Sequence, residues 1–189
     1  MLRLFTFTLL FVCNIATAGT AYQSNYAGQE NREIKSLSQD EIAGLKAGKG
    51  LGLAKAAELN GVPGPRHLLD MKVEIGLSDE QIEDIQSLFH KMKTKAIELG
   101  HLLILSERRL NNAFYYRHMN KIRLNKMLEV NEMIRKELRY VHLVAHLETL
   151  DTVTDEQISL YNQLRGYISS EEAESTDNSS YNNNRHDHK

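Results

Sequence analysis

The chain has 189 residues, with 23 Lys or Arg against 25 Asp or Glu and a mean hydropathy of −0.44. That length allows one domain with a packed core. A single Cys and the absence of Trp exclude a disulfide framework and any indole-built site.

The first residues predict export. Arg3 supplies a positive start, Leu4 to Val12 is apolar except for Thr6 and Thr8, and Ala16-Thr17-Ala18 precedes Gly19. This is the pattern of a signal peptide over residues 1–18, cleaved to give a periplasmic protein, with an uncleaved anchor as the alternative. The apolar run is too short to span a bilayer comfortably. Val12 before Cys13 speaks against a lipid anchor. Because Cys13 lies in the leader, the mature chain has no thiol for a disulfide, a metal or nucleophilic catalysis.

Residues 19–37 are polar and without period, which predicts a flexible arm. Ser38-Gln39-Asp40-Glu41 is a capping box opening a short helix that Gly48 and Gly50 end. A second short helix is expected over Leu51–Leu59, stopped by Asn60-Gly61. Pro65 then stands near the first position of a helix running to about Ile75, closed by Gly76.

Two matching helix starts follow, Leu77-Ser78-Asp79-Glu80-Gln81 and Val153-Thr154-Asp155-Glu156-Gln157. Ser78 or Thr154 accepts from an orphan backbone N–H, and Gln81 or Gln157 reaches back to the cap. Leu77 and Val153 stand where a hydrophobic staple packs on Ile82 and Ile158. The acids sit at the positive helix end. After Ser78, apolar residues recur at helical spacing from Ile82 through Ile85, Phe89, Met92, Ala96, Leu99, Leu103 and Leu110 to Phe114. Such a helix would be roughly 55 Å long. Tyr116 to Asn120 is the expected turn. A second long helix carries Ile122, Met127, Ile134, Leu138, Val141, Ala145 and Leu150. The reading is all-α: a long antiparallel helical hairpin with short flanking helices, in a domain over 38–167. Residues 168–189 are Ser, Asn, acid and His, and are expected to be disordered.

Charge is segregated. Residues 91–139 hold twelve Lys or Arg and five Glu, a local net of +7. A solvated face laced with ion pairs is one explanation. The other is a positive surface with a use, toward an acidic or unfolded polypeptide or an anionic membrane. Nucleic acid is not an expected partner of an exported protein.

No catalyst is expected. The chain has no G-x-S-x-G, and His142-Leu-Val-Ala-His146 lacks the Glu of H-E-x-x-H. Those two histidines, four apart, share a helix face at the spacing of a two-point chelate. His67 and Met71 repeat the spacing. If the hairpin turns near residue 117, His90 and Met92 approach His142. A cluster of His67, His90, His142 and His146, with Met71, would suit Zn(II), Ni(II) or Cu. Half-buried histidines hydrogen-bonded to their neighbours are the simpler alternative. His186-Asp187-His188 is metal-binding by composition only.

The twin Leu-Thr-x-x-Gln-like boxes in an exported, Cys-free helical chain resemble the Spy/CpxP superfamily. That group holds ATP-independent periplasmic chaperones, CpxP-type regulators, and CnrX- and ZraP-type metal-responsive proteins. Here Ser78 replaces Thr in the first box and Val153 replaces Leu in the second. The segment from Gly52 to His67, including Pro63-Gly64-Pro65-Arg66, adds to the likeness. The resemblance implies a cradle-shaped homodimer of helical hairpins and a role in stress response. Chaperone members bind unfolded or misfolded proteins on a basic, partly apolar face; others engage a membrane-bound sensor. On this chain the charge would come from Lys91, Lys93, Lys95, Arg108, Arg109, Arg117, Arg123, Arg135 and Arg139. Ile104, Tyr115, Tyr116 and Met119 would be exposed apolar neighbours. Attraction at long range, then burial of client side chains, would be the mechanism, with no nucleotide. A metal-sensing relative would instead use the histidines, although the His-His and His-Met pairs stand here in the opposite order from the CnrX-type pattern. A hairpin that only dimerises is a third reading.

Overall fold

The computed structural model describes residues 22–168. The expected signal peptide, residues 1–18, and most of the polar tail, with His186 and His188, lie outside the described residues. The chain divides into two compact units, breaking between Asn31 and Arg32. In the first, residues 22–31 form turns and a 3-10 turn at Gln29–Asn31, with Tyr22 and Tyr26 exposed.

The second unit is all-α. Its helices are α1 (Gln39–Lys46), α2 (Lys55–Glu58), α3 (Pro65–Asp70), α4 (Lys72–Ile75), α5 (Asp79–Tyr115), α6 (Lys121–Thr149) and α7 (Asp155–Leu164). The long helices α5 and α6 pack antiparallel as a hairpin. The short helices α1 and α3 lie on α5, α2 and α3 touch α6, and α7 packs on α4. Among the described residues no helix is long and apolar enough to cross a membrane.

Each start with a capping box forms one. Ser38, Ser78 and Thr154 each accept from the backbone N–H three residues on, and Glu41, Gln81 and Gln157 return the bond. Gly76 closes α4 in the left-handed region, φ 70°. The two matching boxes also meet. Gln81 Nε2 donates to Gln157 Oε1 at 2.8 Å, and Gln157 Nε2 donates to Gln81 Oε1 at 3.1 Å. Gln81 Nε2 further donates to the Thr152 carbonyl at 2.8 Å, and Gln157 Nε2 to that of Gly76 at 3.2 Å. Thr152 and Gly76 each lie two residues before a cap. The contacts are therefore symmetric, and this clasp closes the open end of the hairpin.

Two apolar clusters hold the unit. Near the clasp, Leu68, Ile75, Ile85, Val153 and Tyr161 are buried, with Leu77, Met71 and Ile158 packed against them. Farther along, Ile34, Leu37, Ile42 and Leu45 meet Ala96, Leu99, Leu103, Ile104 and Leu138. Full burial of one such Leu or Ile contributes roughly 1.5–3 kcal/mol.

Four expectations are corrected. The packed unit begins before Ser38, because Ile34 and Leu37 supply core side chains that a polar-looking segment hid. The second short helix shrinks to Lys55–Glu58, since Leu51 (φ 46°) and Gly52 (φ 81°) both take left-handed conformations that a helix excludes. Leu51 there folds back over the bare Cα of Gly44. The helix from Pro65 breaks at Met71, φ −116° and ψ 23°. Finally, Ile104 is buried while Phe114 and Ile122 are exposed.

Candidate functional site

Between the two clusters lies a cavity of about 600 Å³. Its walls are the glycine-containing loop 47–52, α2, the start of α3, and the Phe89–Lys93 and His142–His146 turns of the hairpin. The loop can bend so tightly because Gly48 and Gly52 have φ of 65° and 81°.

Three of the four sequence-predicted histidines line this cavity. His67, His142 and His146 face it together with Met92, whereas His90 is exposed and takes no part. Met71 is also absent from the lining: the helix break turns it into the neighbouring core, so the His67–Met71 spacing is not realised on one helix face. The four-histidine cluster is thus not assembled. Among the described residues no three His, Cys, Asp or Glu groups converge as a metal cage.

The chemistry of the histidines is set locally. His142 is only 4% exposed and its Nε2 has no hydrogen-bond partner. Burial, then the neighbouring His146, lowers its pKa below the ordinary 6.5, which favours the neutral ring. His146 Nδ1 lies 2.9 Å from the Val62 carbonyl. A carbonyl only accepts, so this nitrogen carries the proton and the neutral ring keeps Nε2 as an acceptor. The ring lies over Gly64, where a Cβ would stand 2.7 Å from Nε2. His67 Nδ1 is 3.3 Å from Glu58 Oε1. Burial lowers the His67 pKa despite that carboxylate. Glu58 itself is engaged by Arg165 at 2.5 Å and the Tyr167 hydroxyl at 2.8 Å. Burial pushes its pKa up, but these hydrogen bonds outweigh it and the carboxyl is held below 4.5.

The predicted cationic surface is divided rather than continuous. With 3.6 residues per turn, Lys91, Lys95, Leu102, Leu105 and Arg109 fall within a roughly 80° sector of α5. Leu102 and Leu105 are exposed there. That sector faces away from α1, which rests on Gly100 of the same helix. On α6, the exposed Ile122, Met133, Tyr140 and Leu147 fall in a sector of roughly 40° opposite the buried Leu138 and Ala145. Arg135 and Arg139 instead border a groove of about 510 Å³ with Leu37, Leu45 and Leu53, on the flank that α1 covers.

Ion pairing separates these cations further. Arg135 pairs with the buried Glu107, which also accepts from Ser36 Oγ at 2.7 Å. Arg108 pairs with Glu33 at 2.8 Å, and Lys95 with Glu98 at 2.9 Å. Lys93 sits over the Phe89 ring, 5.8 Å from its centroid. Lys91, Arg109 and Arg139 form no ion pair among the described residues. Tyr115, Tyr116 and Arg117 stand at the hairpin tip, with Met119 half-buried beside them. Sequence reasoning missed the buried Ser106–Asn131 contact and the half-buried Glu107–Arg135 pair across the hairpin. Their polarity at core spacing was the available signal.

No protein-family model, curated protein or solved structure matches this chain.

Proposed function

We propose that this protein binds non-native polypeptide without ATP, as a periplasmic chaperone or stress-response adaptor of the Spy/CpxP kind. The observation that carries the reading is the uncovered flank of the hairpin. There Leu102 and Leu105 are exposed beside Lys91 and Arg109, which lack ion-pair partners among the described residues. Exposed leucines at intervals along a charged helix face are suited to partial burial of client side chains. The cations supply attraction at longer range. The test is light scattering of an aggregating client, without ATP, near equimolar protein. Suppression is expected, weakening with salt and lost in K91E/R109E and L102S/L105S. A folded protein that fails to suppress, or variants that suppress equally, would refute it.

A second reading, a periplasmic heavy-metal sensor, is favoured by one observation. His142 Nε2 has no hydrogen-bond partner, His146 is anchored through Nδ1 on the Val62 carbonyl, and both residues line a cavity that His67 and Met92 share. Anchoring of Nδ1 on a carbonyl, as at His146, is the arrangement that orients an imidazole ligand. His142 and His146 would hold Zn, Ni or Cu through nitrogen, with Met92 as the soft donor. Calorimetry on chelator-stripped protein should give one ion per chain and none for H142A/H146A. Unchanged stoichiometry in that variant would exclude the pair.

A further inference from the structure

Between Glu107 and Glu129 the chain carries Arg108, Arg109, Arg117, Lys121, Arg123 and Lys126 and no acidic residue. The hairpin tip lies in the middle of this stretch. Only Arg108 has an ion-pair partner among the described residues, Glu33. The same tip exposes large apolar side chains that nothing described covers: Phe114 at 55%, Tyr115 at 71%, Tyr116 at 61% and Ile122 at 73%.

The tip is built rather than frayed. The backbone N–H of His118 donates to the Ala113 carbonyl at 2.9 Å, and Arg117 takes φ 55° to make the turn. Asn120 caps α6 by accepting from the Arg123 N–H at 2.9 Å, and Arg123 Nη1 donates to the His118 carbonyl at 3.1 Å. Tyr115 and Tyr116 meet edge to face at 4.9 Å between centroids, and Tyr116 stacks on His118 at 6.2 Å. These contacts hold the rings at the surface instead of letting them fold back on the helices. The last hydrogen bonds from a flanking segment reach Asn111, from Lys35 and to Glu33.

We propose that the hairpin tip docks on an anionic phospholipid surface, with Phe114, Tyr115, Tyr116 and Ile122 at the headgroup level and the surrounding cations on lipid phosphates. Three features select this partner. Tyrosine side chains favour the bilayer interface, where an apolar ring and a polar hydroxyl are both accommodated. Five cations without ion-pair partners, and no acid in the stretch, match a dense uniform negative surface. A turn joining two helices is convex, so it enters a soft interface but does not enclose a client side chain. Arg109 borders both surfaces, but the aromatic rings, Arg117, Lys121, Arg123 and Lys126 belong to the tip alone, whereas Lys91, Leu102 and Leu105 of the client-binding flank lie on α5 below it.

The test is flotation of the exported protein with vesicles of phosphatidylglycerol and phosphatidylcholine, against phosphatidylcholine alone. All variants share the parent's N-terminus, so any contribution of residues 1–18 cancels. Binding to the anionic vesicles only, falling with salt, is expected. Removal of each cation lowers partitioning about fivefold. K121E/R123E should therefore lose about twenty-fivefold or more, and Y115S/Y116S should also weaken binding. Both double variants sit at exposed positions, and circular dichroism checks their helicity. A Y116W probe should shift its emission to the blue on anionic vesicles. No flotation of folded protein, equal flotation on neutral vesicles, or full binding by K121E/R123E would overturn the proposal. So would loss of client protection in Y115S/Y116S with flotation unchanged, which would assign the tip to polypeptide.

Discussion

Replacing Gln81 with Ala tests the clasp that joins the two matching boxes. Four hydrogen bonds involve the Gln81 amide: from Ser78 N–H at 2.9 Å, to the Thr152 carbonyl at 2.8 Å, and the two reciprocal bonds with Gln157. Gln157 likewise makes four, two of them the same reciprocal pair. A net hydrogen bond contributes about 0.5–1.5 kcal/mol, and both side chains are half-buried, so the lower half of that range applies. Each single Ala variant should lose about 2–4 kcal/mol. The double variant should lose about 1–2 kcal/mol less than the sum, because the reciprocal pair is removed only once. Urea unfolding of the four proteins in a double-mutant cycle measures this coupling. Additivity within about 0.3 kcal/mol would mean that each box merely caps its own helix, and the clasp would carry no energy of its own.

Gly100 lies mid-helix, where Gly to Ala ordinarily stabilises by about 1 kcal/mol. A Cβ there would strike the Leu45 carbonyl, so G100A should instead destabilise by about 1–3 kcal/mol in urea unfolding, and a stabilised variant would contradict the close approach of α1. His142 has a folded pKa below 6.5, so the unfolded chain binds its proton more readily. Stability should fall as pH drops through about 6.5 toward the folded value, and H142L should show a shallower slope in that window. His67 adds to the same loss, whereas the contribution of Glu58 is present above 4.5 and disappears only at lower pH. Hydrogen exchange should be slowest for amides near Ile85, Leu99 and Leu138, and fastest in residues 110–115 and 121–127, beyond the two clusters. Uniform protection along the hairpin would contradict that gradient.

The helix starts were legible because capping is local: Ser38, Ser78 and Thr154 each hold their own third residue. The hairpin was legible because a 3.6-residue period persists over tens of residues and Gly76, Arg117 and Asn120 punctuate it. What sequence concealed depends on contacts between distant segments. Periodicity places Ile104 off the Leu99–Leu103 line, yet α1 and the Ile34–Leu37 segment cover that side and bury it. Phe114 lies on the line, yet the core has ended before it. The histidines were partly legible. Spacing put His142 and His146 on one face, but the turn at Met71 and the angular position of His90 decided which others joined them. That Gln81 and Gln157 pair follows from neither box alone, since the residues lie 76 apart in the chain.

The charge segregation acquires a structural cause. Six of the acids outside the hairpin's middle stand at helix starts: Asp40 and Glu41 on α1, Asp79 and Glu80 on α5, Asp155 and Glu156 on α7. There they complement backbone N–H groups and the positive helix ends. They are therefore not arranged to neutralise residues 91–139. Among the described ion pairs, Arg108–Glu33 is the one that joins a cation of that stretch to an acid outside it. Had the basic residues served only solubility, an even scatter of both signs along the hairpin would have sufficed. Instead the acids within the stretch cluster near Glu98, Glu107 and Glu129–Glu137, and the segment around the turn has none. A field of one sign, placed where the helices end and the aromatic rings are exposed, acts on partners at a distance before any contact forms.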